Sequence, residues 1–309
     1  MVRYGYACIN LSLVESLGKM APTTNRTMIR KTFDQKGEDW SSQLALQNCR
    51  DILPILQWNL ENGIQLFRLS SSVFPWASEY RIEDLKDITE IKLALKTAGD
   101  FARANGMRIT SHPGPFNKLC SERESVVTNT IRDLEIHGEV FDMMGLDQSH
   151  NAKINIHLGG AYGEKDLAIS RFITNFFRLP YSVSSRLTVE NDDKASLYST
   201  KELAEALHPE TGIPIVHDQH HHTFCDGGLT QEEGMRLAAT TWKPGIRQVI
   251  HYSESRSVEA GDPKIKPQAH SDFIKNRIET FGMDIDVMIE AKGKDLALIK
   301  YLSDHSEVE

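Results

Sequence analysis

Short β-branched or apolar runs alternate with longer stretches of helical spacing along the whole chain, and this alternation constrains the fold more than any other feature. Eight runs read as strands, at 3–8, 64–69, 107–111, 153–158, 187–191, 213–217, 247–252 and 284–290. Between them helical spacing predicts helices at 40–61, 84–105, 122–144, 165–177, 199–207, 230–240 and 271–281, with a last one at 295–302. Asn62-Gly63, Asn105-Gly106 and Phe281-Gly282 supply helix-ending glycines, and Pro54 should kink or divide the first helix. Strand and helix in strict alternation predict an α/β fold, a TIM-type (β/α)8 barrel occupying residues 1–309 as a single domain. An open doubly wound sheet is disfavoured because no G-x-G-x-x-G follows the first strand. Hydrophobic residues at 40% are enough to fill one such core, and no repeat or linker divides the chain.

Polar residues able to ligate metal stand at the C-terminal ends of these runs. His112 follows MRITS, His157 ends KINI, Glu190 ends LTV, and Asp218 follows IPIVH with His221 three residues on. His251 ends RQVI, Glu290 ends DVMI, and His270 lies in the loop after the seventh strand. In a barrel the C-terminal strand ends converge on one face. A lone histidine there is more often a hydrogen-bonded core residue, and a lone glutamate can pair with an arginine. The count changes the balance, because carboxylates crowded at one mouth repel one another unless cations lie between them. Mixed imidazole and carboxylate suits zinc, manganese or iron better than magnesium or calcium. In HDQHHHTF, Asp218 and His221 can share a site, whereas His217, His220 and His222 read as supporting or exposed. Two or three ions could serve phosphodiester hydrolysis or the isomerisation of a sugar, and spacing does not separate the two.

The loops add weaker signals. Glycines in HPGPF and HLGGAYGEK let backbone approach a ligand closely, or simply make tight turns. Tyr6, Asn10, Phe116 and Tyr162 fall on the same face, where aromatic rings could stack on bases or merely pack. Arg26, Arg30 and Lys31 form a small basic cluster whose default reading is a solvated face. The net charge of -8 weighs against a general nucleic-acid coat but suits a site rich in carboxylates. The four cysteines are far apart, as expected of reduced thiols in a cytoplasmic protein. Neither a signal peptide nor a membrane span is expected.

Taken together, these motifs resemble the UV damage endonucleases. The stretches are GYACINLSL with TTNRT, LFRLSSSVFPWAS, SHPGPF, INIHLGGAYGEK, LTVEND, the run Asp218–His222, IHYSE, PQAHSD and VMIEAKGK, in order along nearly the whole chain. The resemblance implies a manganese cluster, with zinc or magnesium as alternatives. It also implies double-stranded DNA carrying UV lesions as partner, without membrane or obligate protein partner, and a single nick immediately 5′ of the photoproduct that leaves a 3′-hydroxyl and a 5′-phosphate. It assigns as ligands His112, His157, Glu190, Asp218, His221, His251, His270 and Glu290, with Glu190 bridging two ions. Glu190, Glu290 and Lys292 are the implied catalytic residues, and Tyr6, Asn10, Pro115 and Phe116 the implied positions beside the lesion, which Tyr162 joins as a loop aromatic of the same face.

Three departures accompany it. Pro115 and Phe116 stand where the family has Gln-Tyr, Val249 where it commonly has a modified lysine, and Ser72 near where some members have a histidine. A metal-dependent sugar isomerase or epimerase on the same barrel, and a non-catalytic damage-binding barrel, are the competing readings.

Overall fold

The eight runs form β1 (Arg3–Ala7), β2 (Leu66–Leu69), β3 (Arg108–Ser111), β4 (Ile154–His157), β5 (Leu187–Glu190), β6 (Ile215–Asp218), β7 (Val249–Tyr252) and β8 (Asp286–Ile289). In the computed structural model, which describes residues 2–305, each strand pairs in parallel with its sequence neighbours, and β1 pairs with β8 to close the ring. The strands are shorter than the apolar runs by a few residues, because parallel pairing ends where the chain turns into the helix layer.

That layer follows from amphipathic spacing. Helix Ile88–Ala104 buries Ile91, Leu95, Ala98 and Ala102, one stripe of its surface, against the strands. The outer layer of the core joins Phe67, Ile109, Ile156, Val189, Ile250 and Val287 from the strands to Ile52, Leu56 and Phe172 from the helices. A smaller cluster fills the barrel interior with Ala7, Leu66, Val216, Val249 and Met288, and Trp242 plugs it. Charge lies beneath that apolar filling. Buried Asp286 accepts from Arg3 at 2.6 Å and from Arg108 at 2.9 Å, with Arg247 at 3.5 Å.

Two helix expectations need correction. The first long helix runs from Arg30 to Glu61, and its break falls at Gly37, with φ of 65°, rather than at Pro54. The segment 271–281 is not helical. Glu259 takes the backbone N–H groups of Asp272 and Phe273, and Glu254 those of Lys275 and Asn276, so the chain is held by side chains instead of by its own carbonyls. Among the described residues no helix is long and apolar enough to cross a membrane.

Candidate metal centre

Strand parity brings the candidate ligands together. Side chains alternate across a strand, so residues two apart on the same strand enter the barrel in register. His157 is the register partner of Glu190, and Asp218 that of His251, which sets four ligands side by side on adjacent strand ends. His112 and Glu290 stand one residue beyond β3 and β8. His221 arrives on the one-turn helix Gln219–His222, which Asp218 caps by accepting from the His221 backbone N–H at 2.8 Å. His270 reaches the mouth from its loop, its Nδ1 3.0 Å from the Glu290 carbonyl oxygen.

Glu190 is the centre of the arrangement. Its Oε2 lies 3.3 Å from His112 Nε2 and 3.0 Å from His251 Nδ1, and its Oε1 lies 3.4 Å from His221 Nδ1. Ligand atoms of His112, His157 and Glu190 fall within 4.8 Å of one another, and so do those of Glu190, Asp218 and His251. One carboxylate therefore belongs to two potential coordination groups. Glu290 extends the second group, with its Oε1 3.1 Å from His251 Nδ1. The rings of His157 and His221 are 5.5 Å apart, and those of His221 and His270 6.2 Å. The eight residues named from the sequence thus share one mouth.

The electrostatics fit a place for cations. Burial would lift the Glu190 carboxyl, yet the imidazoles of His251, His157 and His112 hold it well below the usual carboxylate range. Glu290, also pushed up by burial, is held down by Arg68 and His251. Burial would lower His157 and His221, but Glu190 with Asp192, and Asp218 with Glu190, raise them to about 8 and about 10. Glu190 Oε1, Asp218 Oδ2, His157 Nδ1 and His251 Nδ1 are buried without a well-directed hydrogen bond, although His157 Nδ1 lies 3.2 Å from Asp192 Oδ1 and His251 Nδ1 3.0 Å from Glu190 Oε2. Four buried ligand atoms without a directed hydrogen bond in one cluster are costly unless an ion satisfies them, so the donor set fits divalent metal.

Several sequence expectations are altered. Tyr6 faces out of the barrel into the helix layer, fully buried, donating to Asn59 at 2.7 Å and packed edge-on against Phe67. Asn10 is buried as well, capping helix Leu11–Leu17 and donating to the Tyr6 hydroxyl. Neither presents a face on which a base could stack. Lys292 is exposed, and its side chain makes no hydrogen bond or ion pair to the ligands among the described residues; Lys294, half-buried, is the lysine whose charge feels Glu290 and Arg68. Pro115 and Phe116 are exposed, Phe116 by 86%, and Tyr162 is partly exposed with the Arg171 guanidinium over its ring.

Other residues that support the site were not anticipated. Asp192 Oδ1 is 3.2 Å from His157 Nδ1 and can orient that ring. Arg68 pairs with Glu290, and Asn155 donates to Glu190 Oε2. Val249 does point into the barrel beneath His251, where the resemblance puts a lysine. Yet a lysine is present: fully buried Lys153, just before β4, brings its Nζ to 3.1 Å from His251 Nε2. Burial lowers it to about 7. The available signal was parity, since Lys153 and Asn155 lie four and two residues before His157.

Comparison with known proteins agrees with this geometry. A family model described as UV-endonuclease UvdE matches residues 2–309. A UV-damage endonuclease of Neurospora crassa is 36% identical over 286 residues, covering 87% of this chain and 42% of that protein. One of Schizosaccharomyces pombe is 36% identical over 306 residues, covering 96% and 50%. The chain thus spans about half the length of these fungal relatives, but it covers 96% of a UV DNA damage endonuclease of Bacillus mycoides at 32% identity. The crystal structure of SacUVDE superposes with a TM-score of 0.84 at 31% identity over the whole of both chains. A D-psicose 3-epimerase of Clostridium cellulolyticum, at 11% identity and a TM-score of 0.51 over 77% of this chain and 78% of its own, shares the barrel fold alone.

Proposed function

The chain belongs to the UV-endonuclease UvdE family, and on that premise we propose that it nicks duplex DNA immediately 5′ of a UV photoproduct, leaving a 3′-hydroxyl and a 5′-phosphate, with two or three manganese ions held at the barrel mouth. The observation that carries this reading is the shared position of Glu190 in two ligand groups, in which four buried ligand atoms make no well-directed hydrogen bond. Divalent ions bound there would lower the pKa of water and offset the charge on the attacking and leaving oxygens of an in-line displacement.

The protein's own residues prepare that chemistry. His112, His157 and Glu190 line one side, and Asp218, His251 and Glu290 the other. Asp192 fixes His157, Arg68 fixes Glu290, and Asn155 restrains Glu190, so the ligands lose little freedom when an ion arrives. Beside His112 and His157 opens a cleft of about 360 Å³ rimmed by Lys118 and Lys194 and by the backbone of Gly159 and Gly160. Lysine ammonium groups there meet a phosphate backbone despite the acidic net charge. Exposed Phe116 supplies the apolar wedge that can enter a base step weakened by a lesion, and Tyr162 a second ring on the same face. Pro115 offers no amide donor, so lesion recognition rests on shape and stacking rather than on a glutamine hydrogen bond.

The test is a duplex with one defined photoproduct, incubated with protein stripped by EDTA and then with added manganese. Nicking 5′ of the lesion only after metal is restored is the expected result. Glu190→Gln should abolish it while keeping the fold by circular dichroism. Metal-independent nicking, or full activity in the Glu190 variant, would refute the assignment.

A further inference from the structure

Polar side chains continue into the barrel below the candidate ligands. Asn155 and Thr188 are register partners on β4 and β5, two residues before the register pair His157 and Glu190. Strand alternation points all four inward. Asn155 and Thr188 are fully buried, in a layer that Val216, Val249 and Met288 otherwise fill with apolar groups. The two side chains form a chain of donors that runs one way. Thr188 Oγ1 donates to Asn155 Oδ1 at 2.7 Å, and Asn155 Nδ2 donates to Glu190 Oε2. The oxygen that Asn155 holds is the one lying between His112 Nε2 and His251 Nδ1, at 3.3 Å and 3.0 Å. An ionised carboxylate only accepts, so the amide serves Glu190 in one of its two orientations, nitrogen toward the mouth and oxygen away. The amide's own shape does not select between them, because its nitrogen and oxygen are nearly equal in size.

We propose that Thr188 is a positioning residue for the metal centre. By donating to Asn155 Oδ1, its hydroxyl keeps Nδ2 turned toward Glu190 and so aims the one carboxylate shared by both ligand groups; this inference rests on the metal-centre reading above. Without the hydroxyl the amide can turn over and set Oδ1 against Glu190 Oε2. Two acceptors would then face each other with no proton between them, in a buried place where neither finds water. The carboxylate escapes by swinging out of line or by taking up a proton, and either change costs metal affinity, since a ligand must be ionised and aimed. Valine would match the branched shape and strand preference of threonine, so the hydroxyl is what the site uses.

The experiment compares Thr188→Val, which keeps the shape, with Thr188→Ser, which keeps the hydroxyl, and uses two readouts. The first is the side-chain amide of Asn155 in metal-free protein labelled with nitrogen-15 asparagine, its signal identified by its loss in Asn155→Ala. The amide proton should resonate downfield, as a bond to a carboxylate requires, in the wild type and in Thr188→Ser, and should leave that position in Thr188→Val. The second is titration with manganese alone, followed by electron paramagnetic resonance. Thr188→Val should bind roughly tenfold more weakly, the low end of the range for partners that orient ligands, and Thr188→Ser as the wild type does. Adding Thr188→Val to Asn155→Ala should weaken binding no further, because the two act as one chain. Because the amide is read without metal, a wild type that bound no manganese would refute the metal centre while the amide signal still decided the relay. An unmoved amide signal in Thr188→Val, an equal loss in Thr188→Ser, or losses at Thr188 and Asn155 that add would overturn the proposal.

Discussion

At the scale of single residues, the most consequential feature is the lysine beneath the candidate metal centre. His251 Nδ1 faces Glu190 and Glu290, so its ligating nitrogen is fixed only if Nε2 is held, and Lys153 Nζ holds it at 3.1 Å. Lys153→Met keeps the length and apolar stem of the side chain but removes that contact. It should lower manganese affinity by about 10- to 100-fold, the range for partners that orient metal ligands, with little change in the unfolding midpoint of the metal-free protein. Electron paramagnetic resonance titration of free manganese reads this directly, and unchanged affinity would show that Lys153 only fills space. That the eight candidate ligands would lie together was legible because each pairs a ligating residue type with a strand end or the loop beyond it, and barrel closure turns that address into proximity. Lys153 was not legible. A lysine at the start of a strand reads as a solvent residue at the barrel's other end, and only the parity shared with Asn155 and His157 sends it inward. Tyr6 erred the other way, since its position near the top of β1 is correct but its parity sends it outward to Asn59.

Among the elements, the strands were readable and the loops between them less so. Helix Gln231–Thr240 begins with a reciprocal cap between Thr230 and Glu233, a local signal that needs no tertiary context. The segment 271–281 carries helical spacing yet stays irregular, because Glu254 and Glu259, distant in sequence, capture its amides. That capture also sets the course of the loop just beyond His270. Replacing Glu254 by alanine removes the acceptors for the Lys275 and Asn276 amides, which lie at 3.2 Å and 2.8 Å. Hydrogen exchange at these two amides should accelerate roughly tenfold or more, in keeping with a hydrogen bond to a charged acceptor. Exchange elsewhere in the barrel should not change. Equal acceleration across the strands would mean that Glu254 supports global stability rather than the loop.

For the molecule as a whole, pH and metal act on stability through different histidines. Burial and cationic neighbours lower His150 to about 4, so the folded state favours its neutral form. Its contribution is complete above the ordinary imidazole value of about 6.5 and is lost as pH falls toward 4. In metal-free protein the mouth behaves oppositely. His157 and His221 are raised to about 8 and about 10, so their contribution is present below about 6.5 and is lost as pH rises through those values. Stability without metal should therefore peak near neutrality and decline on both sides. Manganese changes the alkaline side only, because it must displace the protons on His157 and His221 and so binds more tightly as they leave. Ligand at 100 times its dissociation constant adds about 2.7 kcal/mol to folding. At one fixed manganese concentration, the rise in thermal midpoint should accordingly be small near pH 6 and several degrees larger near pH 8 (estimates for a chain of this size). Calorimetry at the two pH values, with EDTA and with manganese, measures it. An equal rise at both would place the ions on groups already ionised at pH 6, and the imidazoles of this mouth would not be their ligands.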